Sequence, residues 1–304
     1  MDYLYLLNHK DLFPYIIGIT YKQFEQILHK FSPALRVAEH EKAYSKKRLR
    51  IPGGGRKATL KTDRQKLFFI LFYYKVYPTF RFAQCIFHLD KHNCLRWKEF
   101  LEPILFQALG FELKLPIIRV KCFSQWIEIC PELKNHIVDA SEREIQRPKD
   151  GTKQGFFYSG KKKKHTVKNQ IRVSPSSRKI LSVSETVEGK RHDKKLLEDD
   201  PLVLKIPPNS IVLGDSGYQG AGDIHPAHWI KFATPKKKPQ GKELSENDKI
   251  TNRFISSIRV RVEHPFAYLK HFNILKNTFR NRIEKAHLPF ANLACVYNFT
   301  RDYK

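Results

Sequence analysis

Two short apolar runs that each lead into an aspartate place the strongest limit on the fold of this chain. Ile211–Leu213 precedes Asp215 and a glycine-flanked turn, and Ile137–Val138 precedes Asp139. A short unbroken apolar run that turn residues bound predicts a strand buried on both faces. In open α/β sheets, ligands bind at the edge where such strands end. We therefore expect Asp139 and Asp215 to lie at one edge of a sheet in an α/β domain.

A third carboxylate, Glu263, lies in a segment with helical character. At about 100° per residue, Arg259 and Lys270 fall within about 40° of Glu263 around a helix, so one face would carry an acid and two cations. Pro265 favours a kink, and we expect the helix to bend or restart there. Each acid taken alone is explained as well by an ordinary surface charge. Our hypothesis is that Asp139, Asp215 and Glu263 converge around divalent metal.

Several carboxylates on one small surface suit the cleavage of phosphodiester bonds by two metal ions. One ion activates a water or a 3′-hydroxyl, and the other stabilises the leaving oxygen. Mg²⁺ and Mn²⁺ are hard cations that prefer oxygen ligands. The five cysteines show no Cys-x-x-Cys spacing, so we expect reduced thiols and no zinc site. The expected cofactor is Mg²⁺ or Mn²⁺, with two ions in the site.

The charge of the chain indicates a polyanionic partner. There are 56 Lys and Arg against 30 Asp and Glu, the formal net charge is +26, and the sequence pI is about 9.8. Nucleic acid is the leading candidate, because neutralising phosphates releases counterions; an anionic membrane surface is the alternative. The apolar run Leu67–Tyr74 is too short to span a bilayer. Met1–Tyr5 shows no signal-peptide pattern. We expect a cytoplasmic protein, associated with the nucleoid if the host is bacterial.

Three helices are predicted over about 63–77, 80–87 and 92–101. Asn93 and Arg96 would then lie early on the third helix, away from its apolar face. This arrangement fits a helix-turn-helix that reads the major groove of DNA. A plain helical bundle would show the same spacing, and the net charge favours DNA binding. The expected caps are Thr62 or Asp63 for the first helix and Thr79 for the second.

The second half of the chain changes to a strand pattern. Apolar and polar residues alternate over 165–173, which predicts a half-buried strand, and 181–187 returns as its hairpin partner. The basic turn Lys161–Lys164 before that strand is a candidate DNA contact through Lys162, Lys163, Lys164 and His165. A solvated turn is the alternative.

Further elements complete this half of the chain. They are a short helix at Asp193–Glu198 with Asp193 as its cap, a strand at Trp229–Ala233, a long helix over about Glu246–Phe272 and a final helix over 286–302. His192 and Asp193 could instead assist the acidic site, and the cap is the favoured role of Asp193. Antiparallel strands, a helix, more strands within a mixed sheet and a closing helix are the layout of a ribonuclease H-like fold.

We therefore expect an α/β chain with four parts. Residues 1–58 form an N-terminal helical segment and a basic, glycine-rich linker. Residues 59–110 form an all-α helix-turn-helix-like DNA-binding domain, and residues 111–134 form a connector. Residues 135–304 form a ribonuclease H-like catalytic domain, in which helices flank a mixed sheet.

The chain resembles a known family. The order and spacing of its motifs are similar to those of the DDE-type insertion-sequence transposases related to the PIF/Harbinger group. The resemblance covers residues 135–304 and extends more loosely to 53–106. The motifs are Val138–Ser141, Gln146–Pro148, Tyr158–Thr166, Gly189–Asp193, Leu213–Gly220, Pro235–Lys238 and Arg259–His264.

The resemblance implies that Asp139, Asp215 and Glu263 are a DDE triad that binds Mg²⁺ or Mn²⁺. It also implies cleavage of double-stranded DNA at element ends, followed by strand transfer into target DNA. The spacing of Arg259, Glu263 and Lys270 is similar to a family signature that also contains a tyrosine. Ser256 stands at the tyrosine position, so no role of that tyrosine is carried over.

Two alternatives share this fold. One is a domesticated DNA-binding protein that no longer cuts, although three retained acids argue against it. The other is a metal-dependent nuclease that cuts without joining strands. Because transposition holds two element ends together, we expect a homodimer in the DNA complex.

Overall fold

The computed structural model of the chain describes residues 5, 8–44, 57–110, 131–200, 206, 209–221, 231–241 and 243–302, without the side chains of 132 and 133. Several sequence predictions lie outside these residues. They are the glycine-rich linker over 45–56, the connector over 111–130, the prolines at 207 and 208, the start of the predicted strand at 229–230, and two cysteines at 122 and 130.

Both helices and strands occur in the described part of the chain. In chain order, the helices are α1 (Phe13–Ile17), α2 (Tyr21–Tyr44), α3 (Asp63–Val76), α4 (Phe80–Phe87), α5 (Lys91–Leu109), α6 (Gly151–Phe157), α7 (Asp193–Glu198), α8 (Glu246–Arg259), α9 (Glu263–Lys270), α10 (Asn273–Lys276) and α11 (His287–Asp302). The strands are β1 (Asn135–Glu144), β2 (Tyr158–Ser159), β3 (Lys164–Val173), β4 (Ile180–Val183), β5 (Val187–Glu188), β6 (Ile211–Leu213) and β7 (Lys231–Ala233). None of the described helices is long and apolar enough to cross a membrane.

The chain divides by its internal contacts into two units. The first contains Met1–Glu112, Lys270–Asn277 and Leu288–Lys304, and the second contains Leu113–Leu269 and Thr278–His287. The four-part division inferred from the sequence remains a prediction.

The first unit is helical, and the caps of α3 and α4 are those expected from the sequence. Thr62 caps α3 in a reciprocal capping box with Gln65. Thr79 caps α4 by accepting from the Phe82 amide at 3.2 Å. The turn after α4 uses His88 in the left-handed region, at φ 51°, where glycine would be the usual residue.

Helix α5 runs to Leu109, eight residues beyond the predicted end at Leu101. It passes through Pro103, which a helix can tolerate at the loss of one backbone hydrogen bond. Its buried side includes Cys94 and Leu101, and Asn93 and Arg96 are exposed, so the predicted division of faces is confirmed for these residues.

The core of the first unit contains a buried polar network. Lys98 Nζ lies 2.9 Å from Glu102 Oε2, and both side chains are at most 2% exposed. Asn292 of α11 donates to the Glu102 carbonyl at 3.0 Å and to the Tyr74 hydroxyl at 2.9 Å. Burial raises the pKa of Glu102, and the Lys98 charge opposes that rise. The network ties α11 to α3 and α5.

The second unit is built on a mixed sheet. Its hydrogen-bonded path is β2-β3-β1-β6-β7, and β4 and β5 also pair with β3. β1 runs antiparallel to β3. On its other side β1 pairs with β6 in parallel, and β6 pairs with β7 in parallel. The predicted helix Asp193–Glu198, the strand at 211–213 and the final helix are all confirmed, the last over His287–Asp302.

Three expectations about this unit are wrong. β3 is not half-buried, because every residue over 166–173 is buried. β1 does not end at Asp139 but continues to Glu144, because it keeps pairing with β3 after its pairing with β6 has ended. The long helix over 246–272 is interrupted by a 3-10 turn at Val260–Val262, and α9 begins at Glu263. Pro265 then falls in the first turn of α9, where its missing N–H has little consequence.

The buried Lys98–Glu102 pair gives a stability prediction for the first unit. Glu102→Ala leaves Lys98 as an uncompensated buried charge, so we expect the free energy of unfolding to fall by about 3–5 kcal/mol, measured by urea denaturation. The control is the double variant Lys98→Met/Glu102→Leu, which removes both charges and should recover most of the loss. Equal losses in the single and double variants would contradict this account.

Candidate active site

The strand register brings two of the predicted acids to the same edge of the sheet. The last parallel pair between β1 and β6 is Ile137 with Leu213. Asp139 and Asp215 each follow that pair by two residues. The charge of Asp215 acts on the pKa of Asp139, as expected for carboxylates that lie close together.

Each aspartate is held by a backbone amide close to it in the chain. Asp139 Oδ1 accepts from the Ala140 amide at 2.8 Å. Asp215 caps the 3-10 turn Ser216–Tyr218, and its Oδ1 accepts from the Gly217 amide at 2.8 Å. Both carboxylates therefore have one oxygen fixed by the backbone, and their orientations are set before any ligand binds.

Arg259, the last residue of α8, lies beside the Asp139 carboxylate. Its Nη2 lies 4.0 Å from Asp139 Oδ2, and the two side chains are 22% and 23% exposed. Its Nε is buried and has no hydrogen-bond partner among the described residues. This donor could satisfy an anionic ligand such as a phosphate, which guanidinium groups bind well.

The electrostatics of the site fit a divalent cation. Burial raises the pKa of Asp139 from its ordinary 3.8 to about 6, and the charges of Asp215 and Asp193 add to the rise. The Ala140 amide and the Arg259 charge act in the opposite direction. Asp139, Asp193, Asp215 and Glu142 outnumber the nearby cations Arg259 and Lys168, which leaves an excess of negative charge at neutral pH. Their oxygens are the donors that hard divalent cations prefer.

Asp193 belongs to this cluster, and the prediction that it caps α7 is wrong. The cap of α7 is His192, whose Nδ1 accepts from the Lys194 amide at 3.3 Å. Asp193 Oδ1 accepts instead from Lys168 Nζ at 2.8 Å. The local sequence suggested a cap because an aspartate opens the helix. The partner that redirects it, Lys168, was expected on a solvent-facing side of β3.

Glu263 stays a predicted member of the site. It is the exposed first residue of α9, and its carboxylate makes no hydrogen bond or ion pair with any described residue. The turn Val260–Val262 just before it packs against β1. Within the described part of the chain, no three His, Cys, Asp or Glu side chains are grouped closely enough to hold a metal ion.

Lys270, the other predicted cation of this segment, is the last residue of α9 and belongs to the first unit.

The predicted DNA contacts of the second unit lie on the turn that leads into β3. Lys162 and Lys163 are exposed and form no ion pair with described residues. Lys164 pairs with Glu144 at 2.7 Å, and the His165 ring meets the Tyr158 ring edge-on at 5.6 Å.

Two exposed aromatic rings that were not predicted as DNA contacts precede this basic turn. Phe156 and Tyr158 are each 45% exposed, and Lys190 Nζ lies 5.3 Å from the centre of the Phe156 ring. Aromatic rings among cations are typical of surfaces that bind nucleic acid.

The pKa of Asp139 gives a prediction for the metal-free protein. A folded-state pKa above the unfolded value means that this group favours folding below about pH 4, and that this contribution is lost as the pH rises through about 6. Asp139→Asn should therefore raise the free energy of unfolding at pH 7.5 by about 1–3 kcal/mol. The gain should shrink towards pH 4 and vanish below about pH 3, where aspartate is largely neutral in both states. Urea denaturation in chelator at several pH values measures this, and a pH-independent difference would contradict it.

The chain is similar to proteins that act on DNA. Residues 138–298 match the family described as DDE superfamily endonuclease. Over 248 residues the chain is 31% identical to a protein named as a transposase for insertion sequence element IS702 from Microchaete diplosiphon, covering 81% of this chain and 83% of that protein. Over 136 residues it is 23% identical to a protein named as a transposase for insertion sequence element IS112 from Streptomyces albus G, covering 44% and 49%. No solved structure matches the chain.

Proposed function

This chain belongs to the DDE superfamily endonucleases, and we propose that it is the DNA transposase of an insertion sequence related to the PIF/Harbinger group. It cuts double-stranded DNA at the ends of its element and joins those ends to target DNA. The observation that carries the proposal is that Asp139 and Asp215 each follow the last β1–β6 pair by two residues, with Arg259 beside Asp139. The names of the two relatives support the same activity.

We infer that Asp139, Asp215 and Glu263 are the catalytic triad and hold the divalent metal. Two Mg²⁺ or Mn²⁺ ions, when bound, activate the attacking oxygen and stabilise the leaving oxygen. The excess of carboxylate charge around Asp139 supports such a site. Glu263 follows the turn that packs on β1, which supports its place near the strand that carries Asp139.

The protein side chains position the phosphate for an in-line displacement. An oxygen of water, or of a 3′-hydroxyl during strand transfer, forms a bond to phosphorus, and the bond to the leaving oxygen breaks. The unpaired Nε of Arg259 is suited to donate to a non-bridging phosphate oxygen. That contact would hold the phosphate beside the carboxylates and balance the negative charge of the transition state.

We assign the second unit a ribonuclease H-like fold. The support is its strand pattern, in which antiparallel β3 and β1 are followed by parallel β6 and β7. We assign α3–α5 to a helix-turn-helix domain within residues 59–110, and the catalytic domain to 135–304. The exposure of Asn93 and Arg96 on α5 supports their role as DNA contacts.

The remaining proposed DNA contacts are Lys162, Lys163, Lys164, His165 and Lys270. A homodimer would hold the two element ends together, and the protein would act where the DNA is, at the nucleoid of a bacterial host. The net charge of +26 supports a nucleic-acid partner for the whole chain.

The activity is tested on labelled DNA that spans both flanks of the gene. We expect cuts at defined flanking positions with Mg²⁺ or Mn²⁺, no cuts in chelator, and a loss of more than about 100-fold in Asp215→Asn, because removing a metal ligand exceeds the usual effect of its outer partners. Asp248→Asn, which removes an exposed acid of α8 that pairs with Lys236, should cut normally.

The other outcomes identify the alternatives. Full activity in Asp215→Asn would overturn the assignment of the metal site. Tight binding without cleavage in any metal would favour a DNA-binding descendant. Cleavage without strand joining would favour a nuclease.

The basic turn is tested by the salt dependence of DNA binding. Lys162→Gln/Lys163→Gln should weaken binding to the flanking duplex and reduce the slope of log K against log salt by about 2, because each phosphate contact contributes about 0.9. Fluorescence anisotropy in chelator measures this. The control Lys195→Gln/Lys249→Gln removes the same charge from lysines already paired with acids. An equal change of slope in both variants would show that only net charge matters.

A further inference from the structure

Lys168 fixes the carboxylate of Asp193 from inside the sheet. Lys168 is only 6% exposed in β3, and its Nζ donates to Asp193 Oδ1 at 2.8 Å and to the Arg191 carbonyl at 2.7 Å. Glu142 Oε1 is a more distant partner at 3.8 Å. One oxygen of Asp193 is therefore anchored by a buried cation, which leaves Oδ2 for another contact.

Asp193 Oδ2 and Asp215 Oδ1 both lie beside Gly217. A Cβ built on Gly217 would lie 2.9 Å from Asp193 Oδ2 and 2.9 Å from Asp215 Oδ1. The two carboxylate oxygens thus converge on the space that a side chain at this position would fill. Gly217 does not have a positive φ, so glycine is needed here for space and not for backbone conformation.

Asp193 is not needed to start its helix. His192 already caps α7. A helix-dipole contribution from an acid in the first turn of this short helix is at most modest. Nor does Lys168 offset the charge of the whole cluster, since it also faces Glu142 and since Asp139 and Asp215 lie nearby. Four acids (Asp139, Glu142, Asp193 and Asp215) and two cations (Lys168 and Arg259) therefore lie in this part of the unit, and the remaining negative charge favours binding of a further cation.

We propose that Asp193 is a positioning residue of the metal site: anchored by Lys168, it holds its second oxygen beside Gly217, next to the space that Asp215 Oδ1 occupies, and its negative charge strengthens cation binding. This inference rests on the proposed function, because it assumes that Asp139 and Asp215 hold the metal. Partners that orient metal ligands typically change metal affinity by about 10–100-fold when they are removed.

The test is Mn²⁺ binding to the full-length protein without DNA, measured by electron paramagnetic resonance and by calorimetry. Asp193→Asn keeps an oxygen that can accept from Lys168 but loses the charge, so we expect the Mn²⁺ dissociation constant to rise by about 10–100-fold. Asp199→Asn is the matched control, because Asp199 directly follows α7 and pairs with Arg191 and Lys195 away from the cluster. It should bind Mn²⁺ as the wild type does.

Two further variants separate this inference from the function on which it rests. If Asp139→Asn and Asp215→Asn both bind Mn²⁺ normally, the proposed metal site itself fails. If they lose binding while Asp193→Asn keeps wild-type affinity, only the role of Asp193 is overturned.

Gly217→Ala tests the contact independently of any loss of charge. Its methyl group would push the two oxygens out of the space they share, and we expect weaker Mn²⁺ binding in a protein that circular dichroism shows to be folded. An unchanged affinity in this variant would also overturn the inference.

Discussion

The buried polar face of β3 is the constraint on which the site depends. Lys168 and Arg172 lie inside the unit, where an unpaired charge would be strongly unfavourable. Each must therefore recruit an acid from another segment, and the partners are Asp193 at 2.8 Å and Asp200 at 2.6 Å. Between them, Gln170 accepts from the Tyr218 hydroxyl at 3.1 Å. These bonds hold α7 and the turn after Asp215 against the sheet, so one strand places both segments that surround the carboxylates.

Features set by neighbours in the chain could be predicted from the sequence. The caps at Thr62 and Thr79, the helix Asp193–Glu198 and the strand before Asp215 depend on residues within a few positions, and all are confirmed. The polar side chains of β3 are buried by segments about 25–30 residues away in the chain, which supply Asp193 and Asp200. Alternating apolar and polar residues reveal the period of a strand, but not whether its polar side faces water or a second polar layer.

The acidic residues also divide into those that nearby residues predict and those that depend on distant segments. The two apolar runs predict that Asp139 and Asp215 lie close together, and each follows the last β1–β6 pair by two residues. Pro265 predicts an interruption of the helix near Glu263, but helical periodicity does not place it at Val260–Val262, because a 3-10 turn nearly preserves the hydrophobic spacing. The sequence favours the cap role for Asp193 over a place beside the site, because its partner Lys168 is not connected to it by any local pattern.

β1 pairs with β3 on one side and with β6 on the other, and this limits where residues can be inserted or deleted. Asp139 lies two residues beyond the last bond pair with β6 and opposite Ile171 of β3. One residue inserted between Asn135 and Asp139 would turn the carboxylate to the other face of the sheet, because side chains alternate along a strand. Insertions in the turn that joins β3 to β4 would leave both aspartates in place. Relatives that diverge by insertion and deletion should therefore vary in their turns, while the number of residues from each apolar run to its aspartate stays constant.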